Sequence, residues 1–284
     1  MSVRRPYVAG SFYPRDPTRL KQTIEDCFTH PLGPGKLPSK CFKDRCITGL
    51  VLPHAGYMYS GPVAAHGYLA LSEEKAPETA IILCPNHTGV GSAIAMVREG
   101  SWETPLGRSP IDTDLADAIL KETKIIDIDE SAHKYEHSIE VQLPFLQYLY
   151  GSKIGIVPIC MGFQDLDTSR EVGNAVASTM KDRNTLVIAS TDLTHQEPQQ
   201  SANRKDRLVL DAIVAMDEKQ LQNVVHVNRI TTCGYGPVSS VLIASKALGA
   251  DRAEILSYHT SGDITGDLGA VVGYASARIT RTVH

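Results

Sequence analysis

No run of about eighteen apolar residues occurs in this 284-residue sequence, so no membrane-spanning helix is expected. Two arginines stand near the start, in MSVRRPYVAGSFYPRDP, but no apolar stretch of about seven or more follows them, and the segment does not read as a secretory signal. Runs of like charge are missing too, which argues against an acidic or basic tail. Basic residues are not in excess: 28 Lys and Arg face 32 Asp and Glu, for a formal net charge of -4. The electrostatic footprint of a nucleic-acid binder is therefore lacking. The 6 cysteines form no C-x-x-C pair, and the closest two, Cys41 and Cys46, have no second pair with which to build a zinc knuckle. They read as reduced thiols of a cytoplasmic protein rather than as a disulfide framework.

What is present is ordinary for a globular fold: 42% hydrophobic and 21% charged residues, enough to bury a sizeable core. One stretch, HPLGPGKLPS from His30 to Ser39, resembles a linker. It is read as a loop inside a single domain spanning residues 1–284, because the residues before it are too few to bury a core alone. Short apolar runs predict strands over 47–52, 79–84, 93–97, 153–158, 185–189, 254–258 and 269–275. Such uninterrupted runs suit strands covered on both faces. Helical patterns lie between them, over 18–28, 62–71, 113–123, 138–150, 169–181, 202–216 and 237–248. Asp112 suits a helix cap and Pro237 a first helical position. The alternation predicts an α/β fold, a three-layer α/β/α sandwich with a largely parallel or mixed central sheet.

The polar residues fall at telling places. The runs at 47–52, 79–84 and 185–189 lead respectively into Pro53-His54-Ala55-Gly56-Tyr57, Pro85-Asn86-His87 and Ser190-Thr191-Asp192-Leu193-Thr194-His195. A histidine after one strand is ordinarily a hydrogen-bonded loop residue. Three in corresponding places, at the sheet edge where ligands bind in open α/β folds, point to a shared crevice. Glu136-His137-Ser138-Ile139-Glu140 is expected to open a helix. Cys233-Gly234-Tyr235-Gly236-Pro237 is a glycine-rich turn before another, where the helix dipole favours thiolate. Cys27, Cys41, Cys46, Cys84 and Cys160 read as structural, His30, His226 and His284 have no companions, and His133 is a further candidate for lining the pocket.

These motifs, together with Ala9-Gly10-Ser11-Phe12-Tyr13, resemble the Memo family, whose bacterial and archaeal members are called AmmeMemoRadiSam system protein B. The resemblance covers essentially the whole chain. It implies a fold shared with class III extradiol ring-cleaving dioxygenases, which hold non-haem iron. It implies a metal bound by His54, His87 and Cys233, with Asp192 and His195 in catalytic positions and Tyr59 in the pocket. Relative to those dioxygenases, His195 stands where their acid/base histidine would be and Cys233 replaces their carboxylate ligand. Eukaryotic relatives are described as phosphotyrosine-peptide-binding adaptors and as iron- or copper-binding redox proteins. The bacterial name implies two partners, an AMMECR1-domain protein and a radical S-adenosylmethionine protein.

A thiolate with two imidazoles is softer than the two-histidine, one-carboxylate set, so it suits copper or zinc as well as Fe(II). The leading expectation is a metal-dependent redox enzyme, dioxygenase-like, with iron or copper at His54, His87 and Cys233. Glu136, His137 and Tyr59 would then line the side where a small-molecule or peptide ligand enters. Two alternatives stand beside it: a binding module that uses the same cleft without catalysis, and a zinc hydrolase with Asp192 or Glu136 as general base. The sequence leaves room for a homo-oligomer.

Overall fold

The predicted apolar runs become strands, and most of their residues are buried. The computed structural model describes residues 2–39, 43–181 and 183–282, so Cys41 and His284 lie outside the described residues. The strands are β1 (Val3–Arg4), β2 (Ile47–Leu52), β3 (Thr79–Pro85), β4 (Ile94–Met96), β5 (Ser101–Thr104), β6 (Gly107–Pro110), β7 (Asp127–Ile128), β8 (Gly155–Met161), β9 (Thr185–Ser190), β10 (His195–Glu197), β11 (Arg252–Thr260) and β12 (Val271–Thr280). The helices are α1 (Pro17–Thr29), α2 (Tyr57–Ser72), α3 (Thr113–Glu122), α4 (Leu143–Tyr150), α5 (Leu166–Met180), α6 (Gln199–Val214), α7 (Glu218–Val227) and α8 (Tyr235–Ala247), with a last short turn of helix at Gly262–Thr265.

The central sheet runs β10-β12-β2-β9-β3-β8-β4-β7, with β11 paired to β12. Its middle four strands, β2, β9, β3 and β8, are mutually parallel. Antiparallel pairing of β12 with β2 and of β4 with β8 closes that parallel block on both sides. Alternate residues serve opposite faces, as a pleated strand requires. Val51, Ile81, Val157 and Val187 pack with α3, α5, α7 and α8. Leu50, Ile82, Ile156 and Ile188 pack with α1, α2 and α4. This is the α/β/α layering read from the sequence, with a mixed sheet that is largely parallel at its centre.

Several boundaries differ for physical reasons. The helix expected over 138–150 begins as a 3₁₀ turn at Glu140–Gln142 and becomes α-helical only at Leu143. Pro144 lacks the N–H that would bond back to Glu140, so its place is in the first turn of a helix and not in the middle of one. Helix α8 starts at Tyr235 behind Gly234, which makes Pro237 its third residue rather than its first. Asp112 does cap α3, accepting from the Leu115 N–H. Helix α7 and the small β1-β5-β6 sheet were not expected. The sheet's strands are too short to carry a periodic signal.

Candidate metal centre

Strand order decides what meets at the sheet edge. β9 lies between β2 and β3, so the loops that carry His54, Asp192 and His87 leave three adjacent parallel strands at the same end. From β3 the chain moves outward to β8 and then returns to β9. That reversal opens the crevice in which ligands sit in such sheets. Cys233 enters the crevice from the turn before α8. Gly234 allows this approach, because a Cβ there would stand 2.7 Å from Thr191 Cβ and 2.9 Å from the Ser190 carbonyl oxygen. Gln164 holds the turn from outside, donating to the Cys233 carbonyl and accepting from the Gly236 N–H.

The donor atoms of His54, His87 and Cys233 all lie within 4.8 Å of one another. Cys233 Sγ is 3.3 Å from His54 Nε2 and accepts the Asp192 N–H at 3.2 Å. The His54 and His87 rings meet edge to face, with centroids 5.2 Å apart.

The buried network around these rings fixes which nitrogen of each carries the proton. Ser190 Oγ spends its single hydrogen on the Ser138 carbonyl at 2.7 Å and accepts from Gln142 Nε2 at 2.8 Å. His54 Nδ1, at 3.0 Å from that oxygen, is therefore a donor, and Nε2 keeps its lone pair facing Cys233. Gln142 is itself held by Tyr68, whose hydroxyl donates to Oε1 at 2.7 Å. On the other side, Glu136 accepts from His87 Nδ1 at 3.0 Å, from the His87 backbone N–H at 2.7 Å and from the Ser138 N–H and hydroxyl. Burial alone would raise this carboxyl, but the hydrogen bonds and the facing imidazoles win and hold it well below the usual carboxylate range. In its neutral form His87 thus also leaves Nε2 without a proton. Both histidines are held by partners behind them in the orientation that a metal ligand requires.

Asp192 is buried and accepts the backbone N–H of His54 at 2.8 Å, and burial pushes its carboxyl up to about 6. His195 belongs to the same electrostatic neighbourhood, acting on both Asp192 and His54. Its Nδ1 donates to the Thr231 carbonyl at 2.9 Å, which leaves Nε2 free. His137 stacks on His87, with centroids 4.8 Å apart, and meets His54 edge to face at 5.3 Å. His87, Glu136 and His137 form a second group with donor atoms close enough for a cation. Tyr59 stands at the start of α2 against Gly56, half-buried, on the side of Tyr274, whose hydroxyl feels both Tyr59 and Asp192.

Two expectations change. His133 does not line this crevice: it is buried against Trp102, with Nε2 on the Ala95 carbonyl. Cys233 does not sit in a thiolate-favouring field, because burial, reinforced by Asp192, pushes its thiol up despite the nearby helix start. Gln142 and Ser190 are not marked as site residues by the sequence, because their partners lie 48 or more residues away. Ser138 and Ser190 do stand in the two segments singled out above, Glu136–Glu140 and Ser190–His195.

These features define a class of parallel-centred α/β sandwich in which His54, His87 and Cys233 converge at the sheet edge. Known proteins narrow it further. The Memo-like protein family matches residues 4–278, and the chain belongs to that family. A MEMO1 family protein of Methanopyrus kandleri is 51% identical over 275 residues, covering 96% of this chain and 97% of that one. One from Methanothermobacter thermautotrophicus is 52% identical over 275 residues, covering 96% and 99%. Among solved structures, an uncharacterized protein from Escherichia coli K12 superposes with a TM-score of 0.55 at 14% identity, over 83% of this chain and 100% of that one. That likeness concerns the fold alone.

Proposed function

We propose that His54 Nε2, His87 Nε2 and Cys233 Sγ hold one iron(II) or copper ion, and that the protein is a metal-dependent redox enzyme. One observation carries this reading: both histidines have their Nδ1 protons committed to buried acceptors, so that two imidazole lone pairs and one sulfur converge within 4.8 Å. Two neutral imidazoles and a thiol fit a first-row metal of intermediate softness. Such a metal would supply electron transfer and Lewis acidity to a ligand entering the crevice.

The residues around it divide the remaining work. Glu136 and Ser190 orient the ligands. In this reading His195 takes or gives a proton at its free Nε2, and Asp192 fixes the His54 loop while its carboxyl titrates near neutrality. His137 and Tyr59 border the side left for substrate. With its oxygens already engaged by His87 and Ser138, Glu136 serves as a positioning carboxylate rather than a general base.

The test is elemental analysis of untagged protein purified without oxygen, beside Cys233→Ala. About one iron or copper per chain, lost in the variant, supports the reading. Zinc would replace it with hydrolysis. An unaltered metal content in Cys233→Ala would remove the ligand assignment.

A further inference from the structure

Three of the described residues other than glycine have positive φ: Gln196 at 58°, Met216 at 52° and Arg229 at 50°. Met216 and Arg229 follow the ends of α6 and α7, where the left-handed region is an ordinary way to close the last turn. Gln196 lies inside a strand, β10, where that region is out of place. It is exposed, so its own packing does not impose the conformation. Its neighbour is His195, on which the proposed proton transfer depends.

The pairing of β10 with β12 explains the conformation. His195 pairs with Val272 and Glu197 with Val271, so two steps along β10 match one along β12, and Gln196 is the extra residue of a bulge. Consecutive residues of β12 face opposite sides of the sheet, and each cross-strand partner shares the side of the residue it meets. In a regular strand His195 and Glu197, two apart, would share one side. The bulge separates them. Glu197 turns to α6, accepting from Ser201 Oγ at 2.7 Å and from Lys205 Nζ at 2.6 Å. His195 turns to the segment that leads into Cys233: its backbone N–H donates to Thr231 Oγ1 at 2.7 Å and its Nδ1 to the Thr231 carbonyl at 2.9 Å. Upstream, the Thr194 N–H and hydroxyl donate to Asp206, a fully buried carboxylate of α6, at 2.9 and 2.6 Å. The chain is thus pinned at 194, 195 and 197, and the strain falls on the residue left between the pins. A side chain in a sparsely populated backbone region persists only where its surroundings over-determine it, and such residues gather at functional sites.

We infer that Gln196 is a positioning residue: its left-handed bulge turns His195 so that Nδ1 meets the Thr231 carbonyl and Nε2 is left free. The inference deepens the proposed function and rests on the reading of His195 as the group that moves a proton.

The experiment is a long-range ¹H–¹⁵N correlation on the metal-free full chain, labelled with ¹⁵N-histidine and held at mildly alkaline pH, which reads the ring tautomers. His195 is assigned by its loss in His195→Gln. The parent should carry the His195 proton at Nδ1, and so should Gln196→Gly and Gln196→Asn, which tolerate positive φ. Gln196→Val places a branched Cβ where the backbone rejects it. It should shift the ratio about tenfold toward the Nε2–H form that an unrestrained histidine prefers. His54 should keep its Nδ1–H in every variant, because Ser190 holds it. An Nε2–H His195 in the parent, or an unchanged ratio in Gln196→Val, would overturn the inference. A parallel loss at His54 would overturn it too, by marking a general loosening. Should Gln196→Val fail to fold, Gln196→Thr, equally branched but polar, makes the same comparison. The readout needs no metal, so a failure of the metal-dependent reading, seen by elemental analysis, stays distinct from a failure here.

Discussion

Ser190 Oγ lies 3.0 Å from His54 Nδ1 and, with its own proton given to the Ser138 carbonyl, can only accept from it. A hydroxyl more than a hundred residues from His54 in the chain thus decides which face of the imidazole is nucleophilic. Ser190→Ala would leave the His54 Nδ1–H and Gln142 Nε2 without their acceptor. Metal affinity should fall by about 10–100-fold, the usual effect of losing an orienting partner. Stability should fall by about 1–3 kcal/mol from the buried groups left unsatisfied. Competition with a chelator and a thermal melt of the metal-free protein measure the two separately.

Glu136 performs the same service for His87 and adds a charge. Its folded pKa is depressed, so it contributes stability that is present above its unfolded value, about 4.3, and lost as pH falls through the folded one. Glu136→Gln should therefore be less stable than the parent at neutral pH, with the difference shrinking on acidification. Urea melts at pH 7 and at the lowest pH where both fold provide the check. A constant difference across that range would contradict the assignment.

Asp192 should behave in the opposite sense. Burial raises its folded pKa to about 6 from an ordinary value near 3.8. Its contribution is favourable below the unfolded pKa and disappears as pH rises through about 6. At neutral pH the ionised carboxylate is therefore destabilising to the metal-free protein relative to a neutral side chain of the same shape. Asp192→Asn keeps an oxygen for the His54 N–H, so it should flatten stability between about pH 4 and 6 and be no less stable at neutral pH. Paired denaturant curves across that window test it.

Burial holds the Cys233 thiol protonated at neutral pH, yet a metal needs the thiolate. Binding should release close to one proton per ion and weaken as pH falls. Calorimetric titration in two buffers of different ionisation enthalpy counts that proton. Cys233→Ser should reduce both the affinity and the count.

Much of the candidate site was legible because His54, His87 and Asp192 follow apolar runs that read as interior strands. β2 runs over the very residues, 47–52, that the pattern marks, and His54 follows two residues later. What could not be read was the order of strands, since nothing local tells β9 to enter between β2 and β3. The supporting shell was hidden for the same reason. Gln142 and Ser190 are neighbours in space and 48 residues apart in sequence, and neither type announces a partner. Cys233 was misjudged in charge because the helix start is visible in sequence while the desolvation that outweighs it is not.

The placement of β9 also sets a calendar. On a ribosome the chain presents β2 and β3 long before the strand that belongs between them exists, since residues 185–190 must first be made. Until then each of those two strands has an edge waiting to be paired, and any early pairing of β2 with β3 would have to be undone. The thiol comes later still, 179 residues after His54. A nascent chain therefore cannot assemble the His/His/Cys trio until most of it has been synthesised. A metal at the proposed site would thus not be captured by a half-built, solvent-open one.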